Sequence, residues 1–143
     1  MFQISARTEY ACIAMLDLAR HFEQEAPVRI RDIAERHGIP SRFLVQILLQ
    51  LKAAGLVQSI RGAGGGYQLA QEPQRITLLE VMRVVDAQPD KISSNATSNS
   101  AVSGVLLESW QQVTDSAIAL LGAHTLSELA EKSGSHSRPM YYI

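Results

Sequence analysis

Apolar side chains recur along the first third of the chain at intervals of three and four, the period of a helix with one buried face. Over residues 5–22 the stripe is Tyr10, Ile13, Ala14, Leu16 and Leu18, with Ser5 as N-cap and Pro27 closing the segment that follows. Ile30, Ile33 and Ala34 mark a short second helix. Gly38 suits the left-handed position after it. Pro40 cannot continue that helix but can stand just before a new one. Ser41 is then the expected N-cap of a third helix reaching about Ala54, with Phe43, Leu44, Ile47, Leu48 and Leu51 on its buried face and Gly55 closing it. Two helices joined by a short glycine-containing turn form a helix-turn-helix pattern.

The period then changes to alternation. Residues 56–60 and 67–70 read as two strands around a tip, Arg61 to Gly66, that holds four glycines. A hairpin placed directly after a helix-turn-helix is a wing. Residues 77–86 return to helix, with Thr77 and Glu80 spaced as a capping box. Residues 87–103 form a polar stretch with five serines and two asparagines, longer than most loops in compact domains. A long helix follows over 104–123, where Val105, Leu106, Trp110, Val113, Ala117, Leu120 and Leu121 repeat at helical spacing. Little remains in a small winged domain to cover so apolar a helix, so its expected partner is the same helix of a second chain. A short helix over 125–132 carries another capping pattern in Thr125 and Glu128. The tail ends in Met140, Tyr141, Tyr142 and Ile143, which are expected to dock on their own or the partner chain. The fold class is therefore mainly α with a small β-hairpin wing. Its organisation is a winged helix-turn-helix DNA-binding domain over 1–86, a polar loop over 87–103, and a dimerisation helix with tail over 104–143.

Charge and cysteine content narrow the chemistry. The net charge of the 143 residues is -1, so the chain as a whole is no strongly basic nucleic-acid binder. Its distribution is uneven: residues 1–70 carry +2 and residues 71–143 carry -3. Between 37 and 71 there is no acid at all, only Arg42, Lys52 and Arg61. That window is a modest sign of a surface for a polyanion, although few charges can also cluster by chance. The single cysteine, Cys12, excludes an intrachain disulfide, an all-cysteine zinc site and a four-cysteine iron–sulfur site. No apolar run approaches the ~20 residues that span a bilayer, and the start lacks a secretion-signal pattern, so a cytoplasmic location is expected.

The stretches I-S-A-R-T-E-Y-A (4–11), I-A-E-R-H-G-I-P (33–40), F-L-V-Q-I-L (43–48), K-A-A-G-L-V-Q-S-I-R-G-A-G-G-G-Y-Q-L-A (52–70) and I-T-L-L-E-V (76–81) resemble the Rrf2 family of bacterial transcription regulators. The A-G-L-V-x-S-x-R-G-x-G-G-G-Y wing carries most of the specificity, and Trp110 sits where the family often has a tryptophan. The resemblance implies a homodimeric winged-helix regulator on partly palindromic double-stranded DNA; repression is the commoner outcome for a small two-domain binder with no activation surface in evidence. Many members hold an iron–sulfur cluster on three cysteines in the loop before the long helix. Here that loop has none, and serine and asparagine are poor ligands for cluster iron. The chain thus resembles the cysteine-free branch, and no cofactor is expected.

In this reading the third helix enters the major groove, with Ser41, Arg42 and Gln46 facing base edges. Glutamine pairs bidentately with adenine and arginine with guanine. Val45 stands where relatives often carry glutamate, which implies a different operator preference. On the wing, Arg61 is placed for a narrow minor groove, while Ser59, Gly62, Gly65 and Tyr67 can position phosphates. Lys52 adds a salt-sensitive, sequence-independent contact. Each has a plainer alternative: Arg42 and Lys52 as solvated surface charges, Tyr67 as a core residue of the hairpin. The dimerisation candidates are Leu106, Trp110, Val113, Ala117, Leu120 and Leu121. Cys12 reads as a small buried residue; the sharper alternative is a metal site shared across a dimer by Glu9, Cys12 and His37. No nucleophile, zinc or phosphate-loop motif supports an enzyme: the glycine run 62–66 lies between two strands and no lysine follows it. Two other readings stay open. One is a protein-interaction adaptor built on the winged scaffold. The other is a DNA-binding regulator controlled by a partner enzyme or a small-molecule effector.

Overall fold

The structure is a computed structural model and describes residues 3–136. Its order is α1 (Ala6–Arg20), α2 (Ile30–His37), α3 (Ser41–Ala53), β1 (Val57–Ile60), β2 (Gly66–Leu69), a helical turn Pro73–Arg75, α4 (Leu78–Val85), α5 (Ala101–Ala123) and α6 (Leu126–His136). The fold class is as the sequence indicates: helices with one two-stranded antiparallel hairpin. The tail expectation for Met140 to Ile143 lies outside the described residues.

Local signals set the helix ends. Ser5 accepts the amide of Thr8 at 3.1 Å and starts α1. A cap of this kind stabilises a helix by about 1 kcal/mol. Gly38 ends α2 at φ 65°, the left-handed value that glycine reaches without strain. The start of α3 differs from expectation. Pro40, not Ser41, is the N-cap: its carbonyl accepts the amides of Phe43 and Leu44, and Ser41 is the first helical residue with no capping bond. The proline needs no amide partner of its own, and its backbone (φ -61°, ψ 128°) already turns the chain into the helix.

The buried stripe of α1 is also rotated from the expected one. Ala11, Met15 and Leu18 lie at its centre, while Tyr10, Ile13 and Leu16 pack at the margins. The small alanines permit close approach of the neighbours: α1 touches α2, α3, α4 and α6. Leu44, Ile47, Leu48 and Leu51 supply the inner face of α3, and Ile33, Leu56, Ile76 and Val81 complete the core. Each such side chain, fully buried, contributes about 1.5–3 kcal/mol.

Among the described residues one charged side chain lies in this core. Asp17, 4% exposed, receives Nε and Nη2 of Arg36, and the ring nitrogens of His37 and His21 lie 2.8 and 3.0 Å from its carboxylate. A buried carboxylate is tolerated only with such partners. Arg36 and His37 belong to α2, so the cluster fastens the first helix of the helix-turn-helix to α1.

Thr77 caps α4 by accepting the amide of Glu80 at 3.2 Å. Of the two expected capping patterns, the threonine half is present here and again at Thr125, which accepts the amide of Glu128 at 3.1 Å. Helix α5 starts three residues earlier than expected. Ser100 and Ser103 cap each other reciprocally, a serine pair that replaces the usual glutamate. Helix α6 runs four residues further than expected, to His136. Its first residue, Leu126, is fully buried in the core, and its backbone amide donates a hydrogen bond to the carbonyl of Ile76 at 2.9 Å. Among the described residues no helix is long and apolar enough to cross a membrane.

Candidate nucleic-acid interface

Inward packing of Leu44, Ile47, Leu48 and Leu51 turns the opposite face of α3 outward. That face presents Ser41, Arg42, Val45, Gln46, Leu49 and Lys52, all exposed. The structure thus brings Ser41, Arg42 and Gln46 together at the N-terminal end of one helix. The Arg42 guanidinium lies 5.1 Å from the centre of the Phe43 ring, a cation–π contact that orients it without neutralising it. Leu49 was not among the sequence candidates, and Val45 entered only as the residue standing where relatives often carry glutamate. Their signal was available: they break the buried period of α3, and an exposed aliphatic side chain on such a face can contact a thymine methyl.

Beside α3 stands the wing. β1 and β2 pair in register Val57 with Leu69, Gln58 with Gln68, Ser59 with Tyr67 and Ile60 with Gly66. Val28 adds a bridge to Tyr67, with reciprocal amide–carbonyl bonds of 2.8 Å, so the hairpin is anchored to the segment before α2. Tyr67 packs half-buried against the core, although it stands opposite Ser59, one pair from the tip end of the hairpin. At the tip the Gly65 amide donates to the Gly62 carbonyl at 3.0 Å. A Cβ on Gly65 would meet the Ile60 carbonyl oxygen at 2.1 Å, so only glycine fits there. Gly62, at φ 110°, has backbone that only glycine adopts easily. Arg61 is exposed and makes no ion pair among the described residues.

Two side chains fix the wing relative to α3. The Lys52 ammonium donates to the Ser59 hydroxyl at 2.8 Å, so these two candidates meet each other and leave further donors on the lysine free to face outward. Arg29, overlooked in the sequence, reaches from the start of α2 to the carbonyl of Ala63 at the wing tip. Arg7 likewise ties α1 to α3 through Gln50. Both are single cations without a pattern, legible only once the elements are folded together.

The dimerisation candidates fall into two groups. Leu106, Trp110, Val113 and Leu120 are exposed on α5, together with Val102 and Val105, and no residue of α5 is fully buried. Ala117 and Leu121 are half-buried and, together with the edge-lying Val113, line a cavity on the α4 side of the helix. Of the possible metal ligands, Glu9 is exposed, His37 is engaged by Asp17, and Cys12 is half-buried in α1. Burial pushes the Cys12 thiol from 9.0 up to about 11, which disfavours the thiolate that binds metal. Among the described residues no three His, Cys, Asp or Glu side chains form a group able to hold a metal ion.

Helix, turn, recognition helix and braced wing define a winged helix-turn-helix DNA-binding protein. Comparison with known proteins gives the particular family. The model of the Rrf2 family, described as iron-dependent transcriptional regulators, matches residues 4–132. The HTH-type transcriptional regulator IscR of Xenorhabdus nematophila is 35% identical over 131 residues, covering 90% of this chain and 79% of its own length. The solved structure of CymR (YrzC), the global cysteine regulator of B. subtilis, superposes with a TM-score of 0.81 at 32% identity, covering 92% of this chain and 98% of that one. IscR of T. potens superposes at 0.78 with 33% identity, covering 99% and 95%. The chain belongs to the Rrf2 family and is a DNA-binding transcriptional regulator. The iron of the family description finds no matching cysteine set here: the segment before α5 contains none, and Cys12 is on another helix with its thiol held neutral. A cysteine-ligated cluster does not fit these residues.

Proposed function

We propose that the protein acts in the cytoplasm as a homodimeric, non-enzymatic repressor of a partly palindromic operator, without a cysteine-ligated cluster. The observation that carries the DNA contact is the shared outward face of Ser41, Arg42 and Gln46 on α3, beside a wing whose tip offers Arg61. Ser41, Arg42 and Gln46 read base edges in the major groove. Arg61 approaches the minor groove and Gly62 lets the wing backbone come close to phosphates, while the buried Gly65 acts by keeping the turn beneath them closed. Lys52 and Ser59 contact the sugar–phosphate backbone as a pair. The exposed apolar face of α5 joins two chains and sets the half-site spacing.

Fluorescence anisotropy with duplex DNA from upstream of the protein's own gene, against a random duplex, tests this. Gln46→Ala should cost about 1–3 kcal/mol at one or two base pairs. Lys52→Ala should weaken all sequences alike and reduce the salt slope by about 1. A uniform loss from Gln46→Ala would remove it from base readout. Salt-independent binding, or none, would overturn the DNA-binding assignments on α3 and the wing.

A further inference from the structure

The polar segment between α4 and α5 is not a loose connection. Gln111 of α5 holds it at two backbone points: its side-chain oxygen accepts the Ile92 amide, and its nitrogen donates to the Asp90 carbonyl, each at 2.8 Å. From the other side Arg83 of α4 donates to the Asp90 carboxylate at 2.9 Å. These clips hold residues 88–93 over a cavity of about 340 Å³ between α4 and α5. The volume is within the ordinary range of small-molecule sites.

Its lining is divided. Leu79, Met82, Val113, Ala117, Ile118 and Leu121 make an apolar floor. Four charged groups stand at the rim: Arg83, Asp86, Asp90 and Lys91. Arg83 and Asp90 neutralise each other. Lys91 makes no ion pair among the described residues, and Asp86 is met only by the neutral amide of Gln88 at 3.1 Å. One cation and one anion therefore remain uncompensated above an apolar floor. Asp86 is also the C-cap of α4, where the negative end of the helix dipole adds to the attraction for a positive group.

We infer that this cavity binds an apolar amino acid, its side chain on the floor, its carboxylate at Lys91 and its ammonium at Asp86. The site lies where α4 of the winged domain meets α5. Occupancy therefore alters how the reading heads are set against the dimer helix, a role that rests on the DNA-binding reading given above. Coupling of this kind is reciprocal, so the amino acid and the operator change each other's affinity by the same factor.

The test is calorimetry on the full chain without DNA, titrating L-leucine, L-methionine and L-phenylalanine, then hydrocinnamate and phenethylamine, which each lack one charge. At least one amino acid should bind saturably at one per chain, with both single-charge analogues about 10-fold weaker. Lys91→Ala and Asp86→Asn, both at the rim, should each weaken binding about 10-fold, and Ala117→Phe should abolish it by filling the floor. No saturable binding by any of the three amino acids overturns the proposal. So does binding that survives all three substitutions. Equal binding of the single-charge analogues overturns the zwitterionic class. Anisotropy with operator DNA then separates the two readings. Bound amino acid with unchanged DNA affinity removes the effector role. A protein that binds amino acid but no DNA overturns the proposed function and leaves the site standing.

Discussion

The carboxylate of Asp17 accepts Nε and Nη2 of Arg36 at 3.1 and 3.2 Å, a two-bond grip between α1 and the end of α2. The aspartate is buried while the arginine is nearly half exposed, so the stabilisation comes chiefly from satisfying the buried carboxylate. Asp17→Asn keeps the shape, removes the charge and puts an amide donor against donors. Stability should fall by about 2–3 kcal/mol, read as a lower urea midpoint at unchanged slope. Arg36→Ala should cost less, because His21 and His37 remain on the carboxylate. An unfolding free energy for Asp17→Asn within about 0.5 kcal/mol of the parent would show that the cluster does not fasten α2.

Two adjacent glycines of the wing tip differ sharply in what they tolerate. At Gly65 a Cβ would lie 2.1 Å from a backbone oxygen, whereas at Gly64 it would meet nothing within 4 Å. Gly65→Ala must open the turn closed by the Gly65 amide and the Gly62 carbonyl, displacing Arg61. Anisotropy should show operator affinity reduced about 10-fold or more, with a global stability loss of only about 1 kcal/mol, since the tip is outside the core. Gly64→Ala should change stability little. If both variants bind DNA as the parent does, the tip is not part of the interface.

What could be read in advance followed the range of the interaction. Gly38, Ser5, Thr77 and the glycines of the wing act on their own neighbours in the chain, and their patterns predict the elements directly. Arg42 and Gln46 followed from the helical period, because the side opposite Leu44 and Ile47 must face outward. The start of α5 was misjudged by three residues because a serine pair does the capping work usually given to glutamate. The return of Leu126 to the core depends on α6 crossing α1 and has no local pattern. The bond from Arg29 to Ala63 and the Gln111 clips span 34 and about 20 positions, and only the folded chain brings them together. Asp17 had a signal: it interrupts an apolar helix face, where a charge requires a partner.

On α5, Trp110 and Leu120 are 44% and 63% exposed, and neither supports the core of its own chain. Trp110→Asp should therefore leave the single chain folded, with circular dichroism unchanged. If this face joins two chains, losing a buried aromatic at its centre should weaken association by about 2 kcal/mol or more, roughly 30-fold. Sedimentation velocity should then show monomers at concentrations where the parent is dimeric. Operator affinity should fall with it, because each chain then reads one half-site alone. Leu120→Asp should act in the same direction. A Trp110→Asp protein that remains dimeric would move the interface elsewhere.

Cys12 offers a test that depends on pH. Its thiol is raised from 9.0 to about 11 because burial disfavours the thiolate. Alkylation proceeds through the thiolate, so at pH 8 the native protein should react with iodoacetamide about 100-fold more slowly than the unfolded chain, two pH units' worth of thiolate. The raised value also links to stability. Below pH 9 the thiol is neutral in both states and folding is unaffected. Between pH 9 and about 11 the unfolded chain ionises first, so stability falls as pH rises through that window. Cys12→Ala should abolish this part of the alkaline loss, measured as the difference between urea midpoints at pH 8 and pH 10. Rapid native labelling at pH 8 would instead mark Cys12 as an activated thiol and reopen a redox or metal role for α1.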